Sequence, residues 1–221
     1  MILLKGNSQR LRLLASGGLG HHEDVDADQV AALRELLAPT GWLDAARRLG
    51  RALRTRTRSP GGLLVVGTPG QDPWHVAAHL DDEARLGGVP ELTPLLLRWE
   101  PPPGAPPHLR VGLDRLEAAR RGETLFVVAP ESAPVPLLER VHDARRAGAT
   151  VVALDKGDGE LERMAHEAMT VPPTDGLVSF DGAQHLVSAA AGDGGGGRAR
   201  RGLRDRLAQL LDAVSGPAPG D

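Results

Sequence analysis

Residues 124–165 read TLFVVAPESAPVPLLERVHDARRAGATVVALDKGDGELERMA. The runs TLFVVA and TVVALD are short and continuously apolar, the pattern of strands buried on both faces of a parallel sheet. Between them, PVPLLERVHDARRAG predicts a helix closed by Gly148. Strand, loop, helix and second strand at these lengths make a right-handed crossover between parallel neighbours. The loop PESAPVP, residues 130–136, therefore stands where such sheets hold their ligands, at the carboxyl ends of the strands.

The same alternation extends in both directions. Upstream, GGLLVVGTPG (61–70) predicts a strand and turn. DPWHVAAHLDDEARLGG then predicts a helix with Asp72 as N-cap, Pro73 in the first turn, and Val76, Leu80 and Ala84 on one face. Leu95 to Trp99 supplies a second strand, a proline-rich loop follows, and LDRLEAARRG reads as a short helix ending at Gly122. Downstream, GELERMAHEA predicts a helix, MTVPP a short fifth strand, and TDGLVSFDGAQHLVSAAAG a helix beginning near Leu177 or Ser179. Before Gly61, Val30, Leu33, Leu36 and Leu37 recur at helical spacing. APTG interrupts them, and Leu43, Ala46, Leu49 and Leu53 resume the pattern. The fold class is α/β, a doubly wound parallel sheet of about five strands in a flavodoxin-like three-layer sandwich with helical extensions at both ends. Residues 1–25 form an N-terminal arm, 26–192 the α/β domain with its helical lead-in, and 193–197 a glycine-rich linker. Residues 198–221 form an amphipathic helix and tail, striped by Leu203, Leu207, Leu210, Leu211 and Val214.

Composition removes several function classes. With Lys+Arg 26 against Asp+Glu 29 the net charge is -3, which gives no electrostatic reason to expect nucleic acid as a partner. Basic residues are almost all arginine, lysine occurring only at Lys5 and Lys156, which reads as the coding bias of a GC-rich bacterial genome. The absence of cysteine excludes disulfides, thiolate nucleophiles and cysteine-ligated metal sites. No apolar run suits a signal peptide or a membrane span, so the expected compartment is the cytoplasm and no membrane partner is expected.

The order of elements from about Gly61 to Pro173 resembles the SIS domain, the sugar isomerase fold that binds phosphosugars in isomerases and bacterial transcriptional regulators; ARRAGATVVALD is particularly typical. In that family the loop after the third strand carries a Ser-x-Ser-Gly-x-Thr pattern whose hydroxyls and amides hold the sugar phosphate. Laid onto this chain, the six positions are Pro130, Glu131, Ser132, Ala133, Pro134 and Val135, so Ser132 alone is kept. The family's first loop, a Gly-x-Gly-x-Ser turn, becomes Gly67, Thr68, Pro69, Gly70 and Gln71. The resemblance implies a carbohydrate derivative or phosphosugar-like anion bound at the strands' carboxyl ends. Its contacts would come from Gly67, Thr68, Gly70, Gln71, His75, Glu131, Ser132, Asp155 and Lys156. It also implies a homo-oligomer. An alternative is a degenerate SIS domain kept as a dimerising or partner-binding scaffold. A second is a sugar-phosphate isomerase, with Glu131 as base and His185 as ring-opening group. No catalytic residue and no cofactor is assigned.

Other groupings read mainly as structure. His75 and His79 lie one helical turn apart, a spacing able to bind a divalent metal, but the favoured reading is one histidine toward the sheet and one solvated, so no metal is assigned. HHED at 21–24 reads as a polar arm, and His142, His166 and His185 as single histidines on separate helices. Trp74 and Trp99 read as packing residues, and the arginines at 198–206 as the solvated face of the last helix.

Overall fold

Five strands hydrogen-bond in the order β2-β1-β3-β4-β5, all parallel. The computed structural model describes residues 41–101, 103, 104, 106, 110–172 and 178–193. The N-terminal arm, the Val30–Leu37 helix, the glycine-rich linker after Asp193 and the leucine-striped last helix fall outside those residues.

Helix α1 (Trp42–Arg56) leads into β1 (Leu63–Gly67), α2 (Trp74–Gly87) and β2 (Pro94–Leu97). A 3-10 turn (Leu113–Ala118) precedes β3 (Thr124–Ala129), α3 (Val135–Arg146) and β4 (Thr150–Asp155). Then come α4 (Gly159–Met164), β5 (Glu167–Thr170) and α5 (Phe180–Gly192). The three central strands are apolar without alternation because both their faces are covered. Leu63, Val65, Phe126, Val128, Val152 and Leu154 point into a core shared with α1, α2 and α5. Their neighbours Leu64, Val66, Leu125, Val127, Val151 and Ala153 point into the opposite core with α3, α4 and the 3-10 turn. The chain lays β2 on one side of β1 and β3 on the other, so the winding reverses between β1 and β3 and opens a crevice at their carboxyl ends.

Several boundaries depart from the sequence reading. Asp72 caps nothing: Pro73 occupies the N-cap of α2 with no side-chain hydrogen bond, and Asp72 pairs with Arg98 at 3.1 Å. The second strand stops at Leu97, with a single bridge from Arg98 to Gly112 beyond it. LDRLEA is a 3-10 turn and not an α-helix. The helix expected over GELERMAHEA ends at Met164, because His166 has joined the sheet edge. Its amide donates to the Val151 carbonyl at 2.8 Å, and its Nδ1 accepts from the Val151 amide at 3.0 Å. Glu167 thereby opens β5, two residues before Met169, where the predicted strand begins.

Candidate functional site

The β3–α3 loop, where the sequence resemblance leads one to expect a phosphate cradle, uses part of its hydrogen-bonding capacity within the chain. Helix α3 starts at Val135 on an N-cap proline, and neither Pro134 nor Pro136 has an N–H to offer. Among the loop's remaining amides, Ala133 N–H donates to Asp158 Oδ2 at 2.7 Å. The other carboxylate oxygen, Asp158 Oδ1, accepts from the Glu160 and Leu161 amides at 3.1 and 3.2 Å and so caps α4. One carboxylate of the chain thus stands where an anion would otherwise be recruited by backbone donors. A second closes the crevice from the side: the Glu131 carboxylate fills the space that a Cβ on Gly70 would need. Ser132 is exposed on the same loop. The sequence reading singled out Asp155 and Lys156 and missed Asp158, although an Asp directly before GELERM carries the usual N-cap signal.

Asp155, the last residue of β4, is fully buried. Its Oδ1 accepts from the Gly157 and Asp158 amides at 2.7 and 3.3 Å, while Oδ2 meets no hydrogen-bond partner among the described residues. Burial pushes its pKa above the ordinary 3.8 against the pull of those two amides, and the nearby charges of Glu162 and Asp158 add to the rise. A native state that holds this proton more tightly than the unfolded chain loses stability as pH rises through the interval between the two pKa values. The penalty is complete above the raised value and disappears below the unfolded one. Asp155→Asn keeps an oxygen for both amides and cannot ionise. Its stability relative to the parent should therefore increase as pH is raised from about 4 to about 8 in denaturant titrations. A difference that stays flat with pH would contradict the assignment.

Lys156 Nζ lies over the Phe180 ring at the start of α5, 5.5 Å from its centroid.

An open cleft of about 300 Å³ lies on the other side of β1, between the β1–α2 loop and the residues after β2. Gly67, Thr68 and Gln71 line one wall, and Arg98 and Trp99 the other. The Gly67 carbonyl accepts the Trp99 indole N–H at 2.8 Å, which holds the ring across the cleft. Gly67 has no room for a side chain, since a Cβ there would fall on the Gln71 carbonyl and the Pro73 ring. Thr68 is 2% exposed, and its hydroxyl meets no partner among the described residues.

His75 belongs to a different grouping. Its Nε2 lies 3.0 Å from His79 Nε2, and the His185 ring of α5 sits 4.9 and 4.5 Å, centroid to centroid, from the rings of His75 and His79. Helices α2 and α5 cover the same face of the sheet in the same sense, which brings together histidines the sequence places on separate helices.

The nine candidate residues therefore fall in separate places. Gly67, Thr68 and Gln71 line the cleft, and Gly70 and Glu131 meet at the reversal of winding with Ser132 beside them. Asp155 braces the β4 turn, Lys156 covers Phe180, and His75 joins two other histidines.

No family model matches the chain, and no curated protein matches it in sequence. Among solved structures it is similar to a "putative phosphosugar isomerase" from Silicibacter pomeroyi DSS-3, with a TM-score of 0.51 and 17% identity. The match covers 86% of this chain but 54% of that one, so the chain spans about half the length of the structure it matches. At this identity the likeness establishes the architecture: this chain has a five-stranded, all-parallel α/β fold like that of the phosphosugar-isomerase structure.

Proposed function

We propose that the protein binds a small carbohydrate derivative in the cleft at the carboxyl ends of β1 and β2. The observation that carries this reading is the Trp99 indole, pinned to the Gly67 carbonyl over a cleft whose polar lining also includes the Arg98–Asp72 pair, Glu100 and the first loop. A fixed aromatic face beside paired donors and acceptors suits a polyhydroxylated ring, which offers both a C–H face and hydroxyls. A phosphomonoester at the β3–α3 loop suits the chain less well, because Asp158 already holds the Ala133 amide and Glu131 brings a second negative charge. The same closure favours a second reading, a scaffold that has given up the family's ligand.

A thermal-shift screen of neutral sugars, amino sugars, sugar phosphates and nucleotide sugars separates these readings. A ligand at a hundred times its Kd adds about 2.7 kcal/mol. For a chain of this size that is a rise in Tm of about 5–10 °C. Trp99→Ala should abolish the shift and Ser132→Ala should leave it intact. A shift confined to sugar phosphates and lost with Ser132→Ala would move the site back to the β3–α3 loop. No shift from any compound, with a tight dimer by size-exclusion chromatography, would support the scaffold.

A further inference from the structure

We infer that His75, His79 and His185 form a binding site for a divalent transition-metal ion of the zinc class, with three protein ligands and an open coordination position. Each residue offers one ring nitrogen, and the three atoms lie within 4.8 Å of one another. Zinc–nitrogen bonds of about 2.0–2.1 Å in tetrahedral geometry place ligand nitrogens about 3.3 Å apart. The His75 and His79 Nε2 atoms, at 3.0 Å, already stand near that separation. The third nitrogen, within 4.8 Å of the other two, has at most about 1.5 Å to close. Spacing of i and i+4 on α2 holds the first pair on one helical face, and α5 presents the third ring across the helix interface.

The donor chemistry selects the metal class. Three imidazoles without a carboxylate suit zinc, copper or nickel and give magnesium or calcium nothing to prefer. All three histidines are partly buried, so the grouping is neither a solvent-exposed cluster nor an inaccessible one. Among the described residues no other group of three histidine or carboxylate side chains gathers in this way. Three protein ligands with a fourth position left open is the arrangement of zinc sites that also take water or a substrate atom. The site lies within the first half of both helices, toward the carboxyl ends of the strands, and does not depend on the cleft ligand proposed above.

The test uses the full chain, stripped with a chelator and titrated with Co²⁺ for its visible bands and with Zn²⁺ against a chromophoric competitor. One equivalent should bind, with a cobalt spectrum of tetrahedral type. His79→Gln and His185→Gln should each weaken binding by about 100-fold or more, at or beyond the effect of losing an outer-shell partner. Zn²⁺ should raise the Tm of the parent and not of these variants, whose metal-free circular dichroism should match the parent's. Failure to take up an equivalent at about 10 μM, well above the dissociation constants of built zinc sites, would overturn the inference. So would binding that survives His185→Gln, or binding lost instead on replacing His21 and His22. Trp99→Ala should leave metal uptake unchanged, so a failed cleft and a failed metal site give different results.

Discussion

Gly50→Ala is expected to lower the melting temperature by about 6–12 °C, corresponding to about 3 kcal/mol in a chain of this length. Gly50 sits in the middle of α1, where glycine costs about 1 kcal/mol of helix stability relative to alanine, so the substitution begins with a local gain. That gain is overwhelmed at the crossing with α5. A Cβ would stand 2.5 Å from both the Ala190 carbonyl carbon and the Ala191 nitrogen, and 2.9 Å from Ala190 Cβ. Carbon contacts settle at about 3.5–4.0 Å, so one helix must back away by about 1 Å. The obstacle is backbone on a fully packed helix, and it cannot swing aside as a flexible side chain would. Moving it also strains the Arg54 hydrogen bond to the Ala191 carbonyl, 3.0 Å long, and opens the core around Leu49, Leu53 and Val187. Gly112→Ala is the matched control: a Cβ there meets nothing closer than 4.0 Å, and φ is -91°. Its melting temperature should stay within about 2 °C of the parent's. Equal effects of the two substitutions would mean that α1 and α5 are not in close contact.

The parts of this fold that can be read from sequence are those determined by burial along a single stretch. β3 and β4 begin and end where TLFVVA and TVVALD do, because both faces of each strand are covered and the apolar run has nothing to interrupt it. β1, α1 and the Ser179-capped α5 were legible on similar grounds. The edges were not. β5 is half-exposed and its EAMT carries no apolar run, so its first residues looked like the end of a helix. Asp72 had the composition of an N-cap, but Arg98, presented by the neighbouring strand, competes for it at 3.1 Å. The site residues were harder still, because each depends on a partner remote in sequence. His185 gains its meaning only when α5 packs on α2, and Asp158 only when the β4 turn reaches the β3–α3 loop.

Replacing Asp158 by alanine should cost about 3 kcal/mol and lower the melting temperature by about 6–12 °C, because this carboxylate ties the β3–α3 loop to the start of α4. It accepts three backbone hydrogen bonds. Loss of the α4 cap, from Glu160 and Leu161, costs about 1 kcal/mol. The bond from Ala133 at 2.7 Å is charge-assisted and joins two loops, so its loss costs about 1.5–3 kcal/mol. A small compensation comes from Asp155, whose raised pKa owes part of its rise to the Asp158 charge. Asp158→Asn should fall between the two: its carbonyl oxygen can still cap α4, while its amide nitrogen turns a donor toward the Ala133 donor. The neighbouring exposed Glu160→Ala should change stability by less than about 0.5 kcal/mol. If the Asp158 carboxylate occupies a disused anion cradle, phosphate or sulfate should stabilise Asp158→Ala more than the parent, by supplying the acceptor that was removed. Equal stabilisation of both proteins by these anions would show that no anion takes the place of the Asp158 carboxylate beside the Ala133 amide.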